Sequence, residues 1–392
     1  MEDKNIVTPA EYADICPIED KDFHNEMSIM LQEPLFRAVA RVVMPDIKYS
    51  QLTRMLMGLN SKQELQLNFM RPFVEGMLKK TSQGLTTSGS EALDRNMPYT
   101  YITNHRDIVL DAALLSYTLV EEGLDTAEIA IGNNLLIYKW ITTLVRLNKC
   151  FIVKRNLGRM QTLAAALQLS GYIHFVLTQK KGSVWIAQRE GRCKDGNDRT
   201  QESLIRMLAY GNREKDLVES LHELNIAPIA ISYEYDPNDY LKAREYLLRS
   251  KDPNYKKMQE DDLLSMRTGI MDPKGHIHYS FTPCINDELE KLPADLDKLL
   301  VLQRICHIID HAIHASYKIF KTNYIAHDLL FDNRDFAEHY TSQEENDFVD
   351  YLNAQLGKIQ DIPVKESDRI YMFKYMLQMY SNPLTNQLEA LQ

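Results

Sequence analysis

The chain has 392 residues, 44% hydrophobic and 26% charged, with a formal net charge of -10 at pH 7. That balance argues against a disordered chain or a multi-span membrane protein, and the acidity argues against a general nucleic-acid binder, whose phosphate contacts need a basic surface. The five cysteines, Cys16, Cys150, Cys193, Cys284 and Cys306, lie far apart without a C-x-x-C pair, so no disulfide frame or zinc cluster is expected and a reducing cytoplasm fits.

The first residues, Met-Glu-Asp-Lys-Asn, are not followed by the apolar run of a secretory signal. The most apolar windows, 133–147 and 161–177, are interrupted before the roughly 18 apolar positions that a spanning helix needs, so any membrane contact is expected to be peripheral, on the inner face. Leu35, Val39, Val42 and Val43, then Leu52, Leu56 and Leu59, then Phe73, Met77 and Leu78 recur at helical spacing and predict an N-terminal helical region over 1–90. It closes on the small polar stretch Thr81–Ser90, which reads as a linker.

Short β-rich runs separated by helical segments follow: Tyr99–Thr103, Glu128–Ile131, Cys150–Val153, Ser183–Ala187, Ala227–Ser232 and His276–Phe281. This alternation predicts an α/β domain over 91–285, a mainly parallel twisted sheet with helices on both faces. The last run follows the turn signal Asp272-Pro273-Lys274-Gly275 and is expected as an antiparallel edge. The segment Tyr235–Met271 reads as a charged insertion, and Ile305, Ile308, Ile309, Ala312 and Ile319 mark a C-terminal helical region over 286–392.

Tyr99–Thr103 runs into Asn104-His105-Arg106-Asp107-Ile108-Val109-Leu110-Asp111. A histidine at the carboxyl end of a strand stands where open α/β sheets place ligands. Imidazole titrates near enough to neutrality to accept a hydroxyl proton, and either Asp111 or Asp107 would fix its tautomer. The bland alternative makes Asp111 only a helix cap. After Ser183–Ala187 comes Gln188-Arg189-Glu190-Gly191-Arg192, where Arg192 suits a phosphate, Gly191 permits close approach and Glu190 orients the arginine. Lys154 and Arg155 again follow a strand, and with Arg106 they complete the candidate substrate-binding set, against the alternative of solvated turns.

These blocks, Asn104-His105…Asp111, Val153-Lys154-Arg155, Glu190-Gly191-Arg192 and Ala227-Pro228-Ile229, occur in an order that resembles the glycerol-3-phosphate/lysophosphatidate acyltransferase superfamily over about residues 95–285. The resemblance implies transfer of a fatty acyl group from acyl-CoA or acyl-carrier protein to a hydroxyl of glycerol 3-phosphate or a lysophospholipid, in phospholipid biosynthesis. His105 would be the base, Asp111 its partner, and Arg155, Glu190, Gly191 and Arg192 the phosphate set. The family pattern has four residues between histidine and aspartate, whereas five separate His105 from Asp111 and Leu110 takes the expected place. Either the turn carries one extra residue or Asp107 takes the partner's role.

Other readings are weaker. His105-Arg106-Asp107 looks like a kinase triplet but lacks a Gly-rich loop before it and Asp-Phe-Gly after it. His307, His311 and His314 share a helical face, and His276 and His278 a strand face, without convincing ligand spacing, so no metal or other cofactor is expected. A catalytically inactive lipid- or partner-binding protein on the same fold is the alternative that the retained His105, Glu190 and Arg192 oppose.

Overall fold

The computed structural model describes residues 6–212 and 214–392. Seven strands form one sheet: β1 (Gly84–Ser88), β2 (Thr100–Thr103), β3 (Glu128–Gly132), β4 (Cys150–Val153), β5 (Val184–Ala187), β6 (Ile226–Tyr233) and β7 (His276–Phe281), in the order β1-β7-β6-β2-β5-β3-β4. The strands β2 to β6 are mutually parallel, β7 pairs antiparallel with β6, and β1 pairs parallel with β7. The sheet is therefore mainly parallel, as the alternation predicted.

Strand alternation explains the two covered faces. Ile102, Ile186, Ile226 and Ala230 point into one core with Leu169, Tyr172 and Ile173 of the helix Arg159–Phe175 and Ile305, Ile309 and Ile313 of the helix Lys298–Ala315. Tyr101, Trp185, Ala227 and Ile229 point into the other, with Leu114 and Leu115 of Leu110–Glu121 and Val74 and Met77 of Arg71–Thr81. Pro228 sits inside the sheet without an N–H to donate. Its ladder with β7 begins one residue later, at Ile229↔Phe281, and the missing donor disrupts nothing there.

Three expectations change. The stretch read as a linker contains β1, because Thr86 and Thr87 suit an edge strand and Gly84–Ser88 find an unpaired neighbour in β7. With β1 outside it, β7 is antiparallel but not an edge. The helix over Pro34–Val43 forms as predicted, but its buried side is Phe36 and Ala40, with Phe36 packed 5.6 Å from the Trp140 ring. Leu35, Val39 and Val42 face outward.

The charged segment 235–271 forms two helices, Asp239–Lys251 and Gln259–Met271, and several of its charges are buried, including Asp239, Lys242 and Glu245. The C-terminal region is helical throughout its main elements, with Met372, Met376, Phe348 and Leu352 in a further core shared with Leu247.

Candidate active site

The predicted site residues collect at the carboxyl ends of β2, β4 and β5. Asn104 continues the β2–β6 ladder with its side chain: Nδ2 donates to the Ile231 carbonyl at 2.9 Å and Oδ1 accepts the Ile231 N–H at 2.8 Å. The main chain is thereby free to leave the sheet, and His105 stands just beyond the strand end. Its ring lies edge-on to Trp185, with centroids 5.8 Å apart.

Asp111 is in the first turn of Leu110–Glu121, where side chains lean toward the helix N-terminus and so back toward His105. Its Oδ2 accepts from the imidazole Nδ1 at 2.8 Å and from the N–H groups of Arg106 and Asp107 at 2.6 and 2.9 Å. Its Oδ1 accepts from the Tyr233 hydroxyl at 3.0 Å. The Asp111 side chain is fully buried, whereas that of His105 keeps 15% exposure. Among the described residues, Nε2 of His105 has no hydrogen-bond partner, and the contact at Nδ1 fixes the tautomer that leaves Nε2 as an acceptor.

Asp107 faces elsewhere. Its Oδ1 accepts the Val109 and Leu110 N–H groups at 2.9 Å each, and its Oδ2 accepts from Asn238 Nδ2 at 2.8 Å. The helix cap is therefore Asp107, and the carboxylate on the imidazole is Asp111. Burial, and next the Asp111 charge, raise the Asp107 carboxyl above its ordinary value. Buried Lys274 faces the same carboxylate and is lowered by burial to about 8, against the opposing pull of Asp107 and Asp272.

The candidate cations divide. The Arg106 guanidinium is buried against Asp198 at 2.7 Å, and the same carboxylate oxygen accepts from Tyr317 at 2.6 Å. Burial opposes the arginine's charge most strongly, but Asp198 with Tyr317, Cys193 and Asp236 together outweigh it and hold Arg106 above its ordinary value. Lys154 bonds Asp14 and, at 2.8 Å, Gln168. Both are thus held by the protein's own groups.

Arg155 lies across the end of β3, where a Cβ on Gly132 would come within 2.9 Å of its Nε, so the glycine makes room for it. Its closest carboxylate is Glu190, at 3.6 Å and more than half exposed. Gly191 adopts φ 72°, the left-handed region that glycine enters without strain, and turns the chain so that Arg192 points back. Among the described residues Arg192 has no carboxylate partner: Nη2 donates to Ser265 Oγ at a long 3.4 Å and the buried Nη1 to nothing. The loop is tied to the histidine by the Cys193 N–H, which donates to the His105 carbonyl at 2.8 Å.

Asp198, Tyr233, Lys242 and Tyr317 escaped sequence reasoning. Lys242 donates to the Arg106 carbonyl at 3.0 Å and pairs with Asp236. Their positions on the chain carry no spacing signal, although a tyrosine ending an otherwise apolar strand was visible at 233. Three of the other histidines singled out in the sequence have polar partners: His276 bonds Glu234 at 2.8 Å, His278 bonds Thr86 and Ser88, and His314 bonds the Asp198 carbonyl at 2.9 Å. Among the described residues no group of three or more His, Cys, Asp or Glu is placed to hold a metal ion.

The site is thus a His–Asp pair at a strand end of an open, mainly parallel sheet, with Arg192, which has no carboxylate partner among the described residues, on the neighbouring loop. Residues 84–232, from β1 into β6 and including every site residue predicted, match the family model of the acyltransferases. The family resemblance read from the four ordered blocks is borne out. A solved structure, the 1-acyl-sn-glycerophosphate (LPA) acyltransferase PlsC from Thermotoga maritima, is similar at a distance, with 11% identity over 74% of this chain and 95% of that chain and a TM-score of 0.34. Among curated proteins, none matches.

Proposed function

We propose that this acyltransferase moves a fatty acyl group from acyl-CoA or acyl-carrier protein to a hydroxyl of glycerol 3-phosphate or a lysophospholipid. The observation that carries the reading is the 2.8 Å contact of His105 Nδ1 with buried Asp111, which leaves Nε2 to take the acceptor's proton. As the proton moves, the acceptor oxygen attacks the thioester carbonyl. The tetrahedral oxyanion then collapses, the C–S bond breaks, and the departing thiolate recovers the proton from the imidazolium. Asp111 orients the ring and stabilises its charge while remaining ionised. Arg192 and Arg155 hold the acceptor's phosphate, with Glu190 steering Arg155 and Gly191 setting the loop.

The test is an acceptor screen with one labelled acyl-CoA, comparing wild type with His105→Ala. Transfer to a phosphate-bearing acceptor should fall by about 10²–10⁴-fold, the usual contribution of a positioned base. Equal turnover by both would end the reading.

Peripheral membrane contact is part of the proposal. Among the described residues no helix is long and apolar enough to cross a membrane. The outward stripe Leu35, Val39 and Val42 shares its helix with Arg37 and Arg41, a pairing that suits an anionic lipid surface, and Lys79 and Lys80 stand in the last turn of the helix Arg71–Thr81. Val39→Glu/Val42→Glu should co-sediment less with anionic vesicles, and unchanged co-sedimentation would remove this helix from the account.

A further inference from the structure

The two oxygens of Asp111 are held from different parts of the fold. Oδ2 takes three donors, all from within the His105–Asp111 turn, whereas the partner of Oδ1 is the hydroxyl of Tyr233, which ends β6. That tyrosine belongs to none of the groups that contact a substrate in the reaction above. We infer that Tyr233 is a positioning residue, which fixes the Asp111 carboxylate rotamer and sets the basicity of His105 by sharing the carboxylate's charge.

The physical basis is competition for one carboxylate. The stabilisation that Asp111 gives an imidazolium depends on how far its charge is already satisfied by other donors. A hydroxyl on Oδ1 draws charge away from Oδ2 and tempers the base. It also holds the plane of the carboxylate, since donors on Oδ2 alone leave rotation about Cβ–Cγ to be fixed by packing. Burial, and next the charges of Tyr279 and Asp111, raise the Tyr233 phenol well above its ordinary value, so it remains a donor across the working range. The same holds for Tyr279, whose hydroxyl donates to the Asp111 carbonyl at 3.0 Å.

Apart from Tyr279, whose phenol shares a hydrogen bond with that of Tyr233, the other charged or titratable groups around the pair are fixed by contacts that Tyr233 does not share. Arg106 and Asp107 lie in the turn itself. Arg192 and Cys193 approach from the loop after β5, Tyr279 from β7, and Lys274 from behind Asp107. Asp198, Tyr317, Asp236 and Lys242 reach the turn only through Arg106. Replacing the phenol by a phenyl ring removes the donor to Asp111 Oδ1 and the contact with the Tyr279 hydroxyl, and leaves Tyr279 its bond to the Asp111 carbonyl and the other groups in place.

The inference rests on His105 acting as the base, and the test separates the two. In the full chain, His105 is titrated by NMR without substrate, its signal identified by its loss in His105→Ala, while kcat/KM is followed against pH with labelled acyl-CoA and glycerol 3-phosphate. In Tyr233→Phe the imidazole should titrate about half a pH unit higher than in wild type, and the acidic limb of kcat/KM should move with it. In Tyr233→3-fluorotyrosine, whose more acidic phenol is the stronger donor, both should move the other way. An imidazole titration unchanged or lowered in Tyr233→Phe overturns the inference. If that variant fails to fold, an unchanged titration in the fluorotyrosine protein overturns it equally. A titration that moves as expected in protein that transfers no acyl group supports the role of Tyr233 and removes the proposed reaction instead.

Discussion

Two loops leave the carboxyl ends of the neighbouring strands β2 and β5, and they treat their polar groups in opposite ways. In the His105–Asp111 turn nearly every polar group is matched: Asp111 takes four donors, Asp107 takes three, and the guanidinium of Arg106 and the carbonyls of His105 and Arg106 each have a buried partner. In the loop after β5, Arg192 has no carboxylate partner among the described residues and Glu190 is largely exposed. A base must be held in place before the substrate arrives, whereas a cation intended for a substrate anion must not already be neutralised. Rigid pairing on one side and open valence on the other is the arrangement that hydroxyl activation beside a phosphate requires.

The sharpest way to break that contrast is inside the matched turn. Asp111→Asn should lower kcat by about 10²–10⁴-fold, the range typical of positioned acid–base groups, because an amide cannot stabilise the imidazolium. Asp107→Ala, which removes a helix cap, should cost about 0.5–2 kcal/mol in urea unfolding and leave kcat within a few-fold. The reverse ranking would assign the partner's role to Asp107.

Next in size is Arg106→Met. It strands Asp198 as a buried charge, and the expected loss is about 3–5 kcal/mol of stability by urea denaturation, with binding of the acceptor secondary. Arg192→Ala should behave oppositely: a small change in unfolding midpoint, and an acceptor KM raised by about tenfold or more, as befits a charge-assisted hydrogen bond. Should Arg192→Ala lower stability more than Arg106→Met does, the distinction between the two loops is lost.

A further test, outside both loops, concerns pH. Asp239, fully buried among the hydroxyls of Tyr351 and Tyr380, is raised from 3.8 to about 7 by burial and then by Asp236. The folded chain therefore keeps a proton that the unfolded chain gives up near pH 4. The stability this group contributes is full below about pH 4 and is lost as pH rises toward 7. Thermal melts should show a shallower decline over that window in Asp239→Asn than in wild type; parallel curves would dismiss the effect.

The parallel sheet was legible because its strands are short apolar runs that no amphipathic helix would carry, and because helices separate them. His105 and Arg192 were legible because strand-end chemistry falls immediately after such runs. The β1 strand was not, since an edge strand needs little apolar character and Gly84–Ser88 has almost none. The choice between Asp107 and Asp111 depended on which way two carboxylates point across a turn of irregular backbone, and spacing alone does not encode that. Arg106 and Lys154 looked like ligand groups because a cation's partner is visible only when the chain is folded: Asp198 and Asp14 are remote in sequence. The stripe of Leu35, Val39 and Val42 has the period of a buried face, and only the position of Phe36 against Trp140 reveals which side of the helix is covered.

The pairing of β1 with β7 joins residues as far apart as Thr86 and His278, 192 positions along the chain. During synthesis at about 5–20 residues per second, β1 would wait roughly 10–40 s for its partner to emerge. Over that interval the order of events at the ribosome matters: the five parallel strands are complete before the outer pair can close over the edge at β6. Folding of this chain should accordingly finish late, and slowing translation after β6 should lengthen the time for which that edge is exposed to chaperones or to other nascent chains.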